Sequence, residues 1–288
     1  MKMNSLRHTH SWRPALLALW LVAGGWTSVA SASIFSASLT DAQWHARGSV
    51  FECGLSHAVG DYGTARFTRR AGEQEVFSLE LKQTVLMPGQ AQLQALWPDW
   101  RALSAPVSLG SVEITPDKKK VRLEQERARQ LQQHLQAGQR LMVLRPATAQ
   151  GQPPARVILE PINFHSGYQQ YQQCLTALLP ANFDQVKRTA VYFSSGTESL
   201  PAAERRKLDW LIRYVKADSS IQSIVIDGHT DSVGRRPDNL EVSKGRAEMI
   251  AEYLLSANIP ADYLVTRWHG ERYPVASNKT AQGRALNR

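Results

Sequence analysis

The chain holds only two cysteines, Cys53 and Cys174, and they stand 121 positions apart. Whether they join decides how the first half can fold, and that depends on the compartment. The N-terminus reads as a secretory signal. Lys2, Arg7 and Arg13 make a positive stretch without an acidic residue, and Ala15 to Ala23 is an unbroken apolar run. Ala30-Ser31-Ala32 then supplies the small-x-small pattern of a cleavage site. A membrane helix needs roughly 20 apolar residues, and Gly24-Gly25 interrupts this run at about half that length. The expectation is cleavage after Ala32 and export to the periplasm, with no membrane span in the mature chain. The residue directly after the cleavage point is Ser33, not a cysteine, which argues against a lipid anchor. In an oxidising compartment an even pair is usually bridged. In the chain-entropy model, closing so long a loop stabilises by about 4–5 kcal/mol. Two buried free thiols are the alternative reading. Redox catalysis is disfavoured because no C-x-x-C occurs.

Composition fits a globular protein. Hydrophobic residues make up 43% of the chain, enough for a core, and about 256 mature residues suit one or two domains. The net charge of +9 includes the three bases of the signal, so the mature chain is basic by about six charges. That charge suits an anionic polymer or an acidic partner, or simply solubility. There is no aromatic-and-basic arrangement of a nucleic-acid reader, so no nucleic-acid partner is expected.

Residues 33–183 read as a mainly antiparallel β domain. Ser49 to Leu55, Thr64 to Thr68 and Val76 to Leu81 are strand-like, separated by the turns Gly60-Asp61-Tyr62-Gly63 and Ala71-Gly72-Glu73. The ten-residue strands and aromatic girdles of a membrane barrel are missing. One helix is expected from Leu123 to Ala137, with Ala128, Leu131 and Leu135 on one face and Gly138 as its stop. Leu141 to Leu144 and Val157 to Leu159 suggest a hairpin around a Pro/Gly-rich loop. A second helix should carry Tyr168, Tyr171, Leu175 and Leu178 inward, with Cys174 pointing at the sheet that holds Cys53. Trp97-Pro98-Asp99-Trp100 reads as a buried aromatic turn in preference to an exposed contact surface. No nucleophile elbow, phosphate loop or zinc spacing is present, and neither a cofactor nor a metal is expected.

The pattern changes in residues 184–288. A strand at Ala190 to Phe193, a helix opened by Pro201, a strand at Ile221 to Asp227, a helix capped by Ser243 and a strand at Tyr263 to His269 give β-α-β-α-β order. The fold class is therefore α+β, with both helices of this part on one face of a small sheet. Asp231 should sit at the end of the second strand, and Arg246 in the first turn of the second helix. An arginine there opposes the helix dipole, a conflict that a ligand carboxylate would resolve, while Asp231 could hold an ammonium. One acid beside one base suits a zwitterionic amino-acid group. On local chemistry alone, an internal Asp231–Arg246 salt bridge is an equal reading. Asp227, His229 and Asp231 at i, i+2, i+4, with His269, could also be read as a metal-dependent hydrolase site, but no zinc-hydrolase spacing supports it.

The run His229-Thr230-Asp231-Ser232-Val233-Gly234, then Asn239, Val242-Ser243, Arg246-Ala247, Gly270-Glu271, Pro274 and Gly283 to Arg288, resembles the OmpA-like signature T-D-x-x-G, N-x-x-L-S-x-x-R-A, G-E-x-x-P and N-R. The resemblance implies an OmpA-like peptidoglycan-binding domain. Its Asp and Arg, here Asp231 and Arg246, would bind the diaminopimelate side of the stem peptide, with Thr230, Asn239 and Arg288 in support. Val242 stands where the family usually has Leu. The family also continues through a final strand after N-R, so a chain stopping at Arg288 is expected to lack that strand and to leave a free sheet edge.

The first half narrows the choice. Ser49 to Cys53, Gly63 to Phe67, Arg70 to Glu73 and Leu79 to Leu81, with Cys174, resemble the MotY family of exported flagellar-motor proteins. That resemblance implies a non-catalytic anchor at the flagellar basal body, contacting stator and basal-body proteins through the first domain and peptidoglycan through the second. A general envelope tether with no motor role is the alternative, since several envelope proteins carry the second domain.

Overall fold

The computed structural model describes residues 33–81, 89–98, 101, 105–114, 120–146 and 154–288. The expected signal, 1–32, lies outside the described residues. So do Asp99 and Trp100 of the aromatic turn and residues 147–153 of the hairpin loop.

The first half runs β1 (Ser33–Ser36), β2 (Trp44–Gly48), β3 (Glu52–Val59), β4 (Gly63–Arg70), β5 (Val76–Leu81), β6 (Gly89–Leu96), β7 (Val107–Ile114) and β8 (Lys120–Leu123). It continues through α1 (Gln125–Gln136), β9 (Arg140–Arg145), β10 (Ala155–Leu159) and α2 (Phe164–Ala177). Strands β2-β3-β4-β5-β8 form one antiparallel sheet. The other, β1-β10-β9-β6-β7, is antiparallel except where β1 joins β10. Alternation explains the burial. In β3, Cys53, Leu55, His57 and Val59 are buried and the residues between them are less so. Both sheets and both helices feed one core that includes Trp44, Phe67, Phe77, Leu93, Leu141, Phe164 and Tyr171.

Helix α1 buries Ala128, Leu131 and Leu135 as its spacing predicts. Gly138, at φ +83°, takes the left-handed position that ends it. Helix α2 lies tightly on the sheet. A side chain at Gly167 would strike the Trp44 backbone, and only a glycine allows that approach. The same helix carries Cys174 to Cys53, and the two form a disulfide with Cα atoms 6.0 Å apart.

The short helix α3 (Phe183–Val186) opens with a reciprocal cap between Asn182 and Gln185. Around it, Phe51 from the first half meets Tyr214 from the second at 5.5 Å between ring centres. Ala181 and Val186 complete this small apolar junction.

The second half contains α4 (Ala202–Ala217), β11 (Ile224–Gly228), α5 (Arg236–Ser256), β12 (Leu264–Trp268) and α6 (Ala281–Leu286). Strands β11 and β12 pair in parallel, and Leu208, Ile212, Val215, Ile226, Ala247, Ile250 and Leu254 pack helices α4 and α5 against them. Gly228 lets β11 approach α5, since a Cβ there would collide with the Ser243 carbonyl. The α+β class holds, but two local expectations do not. Residues 190–193 are not a strand. Their backbone bonds go instead to α4 side chains and to Arg288: Lys207 donates to Ala190 O, Tyr192 N–H donates to Glu204, and Phe193 N–H donates to Arg288 O. Between this segment and β11 an open cleft of about 620 Å³ remains, lined by Val191, Phe193, Val215, Ile226 and Ile250 among others. Among the described residues, β11 pairs on one edge only.

The second correction concerns α5. It starts at Arg236, not after Ser243. Pro237 occupies its first turn, where its missing N–H costs nothing, and Asp238 supplies the acid that the positive helix end favours. Ser243 is therefore internal. Its hydroxyl donates to Leu240 O at 2.7 Å and accepts from Gly270 N–H at 3.0 Å, tying α5 to the loop after β12.

Candidate functional site

The loop following β11 carries Thr230 and Asp231, and it is pinned at Thr230, whose N–H donates to Gly270 O at 2.8 Å. Asp231 Oδ1 accepts from Val233 N–H at 3.0 Å, which shapes the turn, and Oδ2 accepts from Arg288 Nη1 at 2.8 Å. Burial opposes the charged carboxylate. The bonds from Arg288 and Val233 outweigh it and hold the Asp231 pKa below the ordinary value.

Arg246 sits in the middle of α5, not in its first turn, so the helix-terminus argument for its role falls away. Nor does it pair directly with Asp231. Its guanidinium donates to three backbone carbonyls: Nε to Thr197 at 2.9 Å, Nη1 to His229 at 3.0 Å and Nη2 to Ser194 at 3.1 Å. The Phe193 ring lies against it, 5.0 Å from the guanidinium carbon. Burial, then the neighbouring Arg288, lowers its pKa, and Asp231 and Glu198 oppose that shift. A guanidinium has five N–H groups, so three carbonyl bonds leave two donors.

Arg288 joins the cluster from the other side. Its Nε donates to Phe193 O at 3.1 Å while Nη1 holds Asp231. Thr230 is 5% exposed and its hydroxyl lacks a hydrogen-bond partner. An unpaired buried hydroxyl costs about 1–3 kcal/mol, which a polar ligand group would recover. The fold thus brings Thr230, Asp231, Arg246 and Arg288 together. Asn239 stands apart, on the first turn of α5, where its amide donates to Glu271 at 2.8 Å. It braces the loop after β12 and makes no hydrogen bond to Asp231.

Two further residues belong to the arrangement. Arg284 adds a positive influence on Asp231. Asn287, 4% exposed, receives the N–H groups of Val275 and Ala276, both at 2.9 Å, and so fixes the loop that faces the site. Only the N-R dipeptide in the sequence pointed to it. The open cleft is a separate feature. Thr230, Arg246 and Arg288 border it, but Asp231 does not.

The Asp227 carboxylate is taken by Arg267, through two bonds of 2.7 and 2.9 Å, and by His269 at 2.9 Å. Among the described residues, no group of three His, Cys, Asp or Glu side chains is placed to hold a metal ion. No described helix is long and apolar enough to cross a membrane.

Comparison with known proteins places the chain. The family model of the MotY N-terminal domain matches residues 35–180, half of the sequence. The chain belongs to the MotY family. Residues 192–288 of this MotY-family protein match the OmpA family model. The sodium-type flagellar protein MotY of Vibrio parahaemolyticus is 23% identical over 293 residues, covering 93% of this chain and 95% of that protein. Outer membrane protein A of Bordetella avium is 35% identical over 97 residues, covering 34% of this chain and 50% of that protein. Among solved structures, the peptidoglycan-associated lipoprotein of Burkholderia pseudomallei aligns at 25% identity with a TM-score of 0.34, covering 36% of this chain and 87% of that one.

Proposed function

We propose that this MotY-family protein is a non-catalytic periplasmic anchor of the flagellar motor. Its OmpA-type domain grips peptidoglycan, and its first domain docks on basal-body and stator components. The observation that carries the reading is the union, in one chain, of a MotY N-terminal domain with an OmpA-family domain whose loops converge one carboxylate, two guanidiniums and an unpartnered buried hydroxyl.

The chemistry suits the diaminopimelate end of a stem peptide, which presents an ammonium beside a carboxylate. Asp231 receives the ammonium on its remaining lone pairs. Arg246 offers its two uncommitted N–H groups to the carboxylate, with Arg288 adjacent and Thr230 supplying a hydroxyl. Because both guanidiniums are already oriented by backbone carbonyls, little side-chain entropy is lost on binding. The mature protein follows cleavage near Ala32.

The test is localisation of the tagged full-length protein in cells with and without stator units, together with swimming of a deletion strain. The proposal expects foci at flagellar bases and non-swimming cells that still assemble filaments. Normal swimming of the deletion strain, or an even envelope distribution, would instead support a general tether with no motor role.

A further inference from the structure

Beside the charged cluster three rings form a ledge. The His229 ring stacks on His269 with centres 4.9 Å apart and 24° between planes. Tyr273 meets His269 edge-on at 5.7 Å and 78°. The ledge is rigid. His229 Nδ1–H donates to Arg272 O at 3.3 Å, since a carbonyl can only accept. His269 is held by Asp227, which Arg267 clamps in turn. Asn287 fixes the chain just beyond Tyr273.

Two features of Tyr273 stand out. The residue is 72% exposed, and its backbone sits at φ +61°, a conformation that disfavours bulky residues. Packing inside the protein explains neither. The ledge is also continuous with the charged cluster, because Arg246 donates to the carbonyl of His229 and Thr230-Asp231 follow directly in the chain.

We infer that the His229–His269–Tyr273 ledge is a sugar subsite, taking an amino-sugar ring of the glycan whose peptide occupies the Asp231 site. The inference rests on the peptidoglycan reading above. An amino sugar has an apolar C–H face and a polar rim. The C–H face matches the electron-rich faces of the rings. The rim matches the Tyr273 hydroxyl, the exposed Arg272 side chain and His229 Nε2. That last nitrogen is an acceptor while the imidazole is neutral, the form that burial favours.

Calorimetry on the full chain tests this with two probes, a diaminopimelate-containing stem tripeptide and the same tripeptide attached to its disaccharide. The wild type should bind the disaccharide form about tenfold more tightly. Tyr273→Ala should abolish that gain and leave tripeptide affinity unchanged, and Tyr273→Phe should keep most of it. Equal wild-type affinity for the two probes, a gain that survives Tyr273→Ala, or a parallel loss for both probes would overturn the sugar subsite while leaving peptide recognition intact. Failure of the wild type to bind either probe would overturn the peptidoglycan reading itself.

Discussion

In the first half, the buried carboxylate of Glu75 accepts from the Tyr171 hydroxyl at 2.6 Å and from Gln132 at 2.8 Å, two partners on two different helices. In the second half, Asp231 is equally buried but lies among Arg288, Arg246 and the unpaired hydroxyl of Thr230. The first arrangement is closed. Its polar groups consume one another and lock α1, α2 and the sheet together. His57 Nε2 and Tyr62 Oη also lack partners there, but they are 0% and 1% exposed and sealed in the core. The second arrangement keeps spare donors and acceptors beside an open surface. The chain thus divides into a β scaffold stapled by a disulfide and a second unit that holds unspent hydrogen-bonding capacity.

The largest expected effect comes from removing the staple. Replacing Cys53 and Cys174 together by serine should cost the first domain about 4–5 kcal/mol. A denaturation midpoint followed by tryptophan fluorescence reads this, with ligand affinity per folded molecule unchanged. A smaller contrast compares cores. Phe164→Ala in the first domain should cost about 3–5 kcal/mol, whereas Ile226→Ala, whose side chain borders the cleft, should lie near the low end of about 2 kcal/mol. Equal costs in urea titrations would break the comparison.

The smallest effect is a pH dependence of the first domain. Burial, more than the bond to Gln43 O opposes it, lowers the His57 pKa below its ordinary 6.5. The unfolded chain therefore takes up the proton first. The contribution is complete above about pH 6.5 and is lost as pH falls below it towards the folded value. Melting of the first domain at about pH 7.5 and pH 5.5 should show this fall, and His57→Phe should flatten it.

Much of the scaffold was legible in the sequence. Alternation over 64–68 and 76–81 marks real strands, the strand expected over 49–55 runs from Glu52 to Val59, Gly138 ends a real helix, and Cys53 pairs with Cys174 across the helix that the tyrosine spacing predicts. The second half was less so, for physical reasons. Ser243 is a good cap residue, but Pro237 and Asp238 start the helix two turns earlier. Ala190 to Phe193 has strand-like residues, yet its backbone partners are side chains of α4 and the distant Arg288, which periodicity does not reveal. The site residues Asp231, Arg246 and Arg288 were nominated, but their mutual arrangement was not. Arg246 is held by the carbonyls of Ser194, Thr197 and His229, and backbone carbonyls leave no signature in residue identity.

The central claim is that Asp231 is a ligand-binding carboxylate and not only a partner for Arg288. Asp231→Asn keeps the shape of the side chain and removes its charge. Calorimetry with the diaminopimelate-containing stem tripeptide, run beside a thermal melt, measures both roles. The account predicts a loss of about 1.5–3 kcal/mol in binding, the typical worth of a hydrogen bond to a charged group, with a melt close to that of the wild type. Unchanged affinity accompanied by a large drop in melting temperature would contradict it and make the Asp231–Arg288 pair a structural staple.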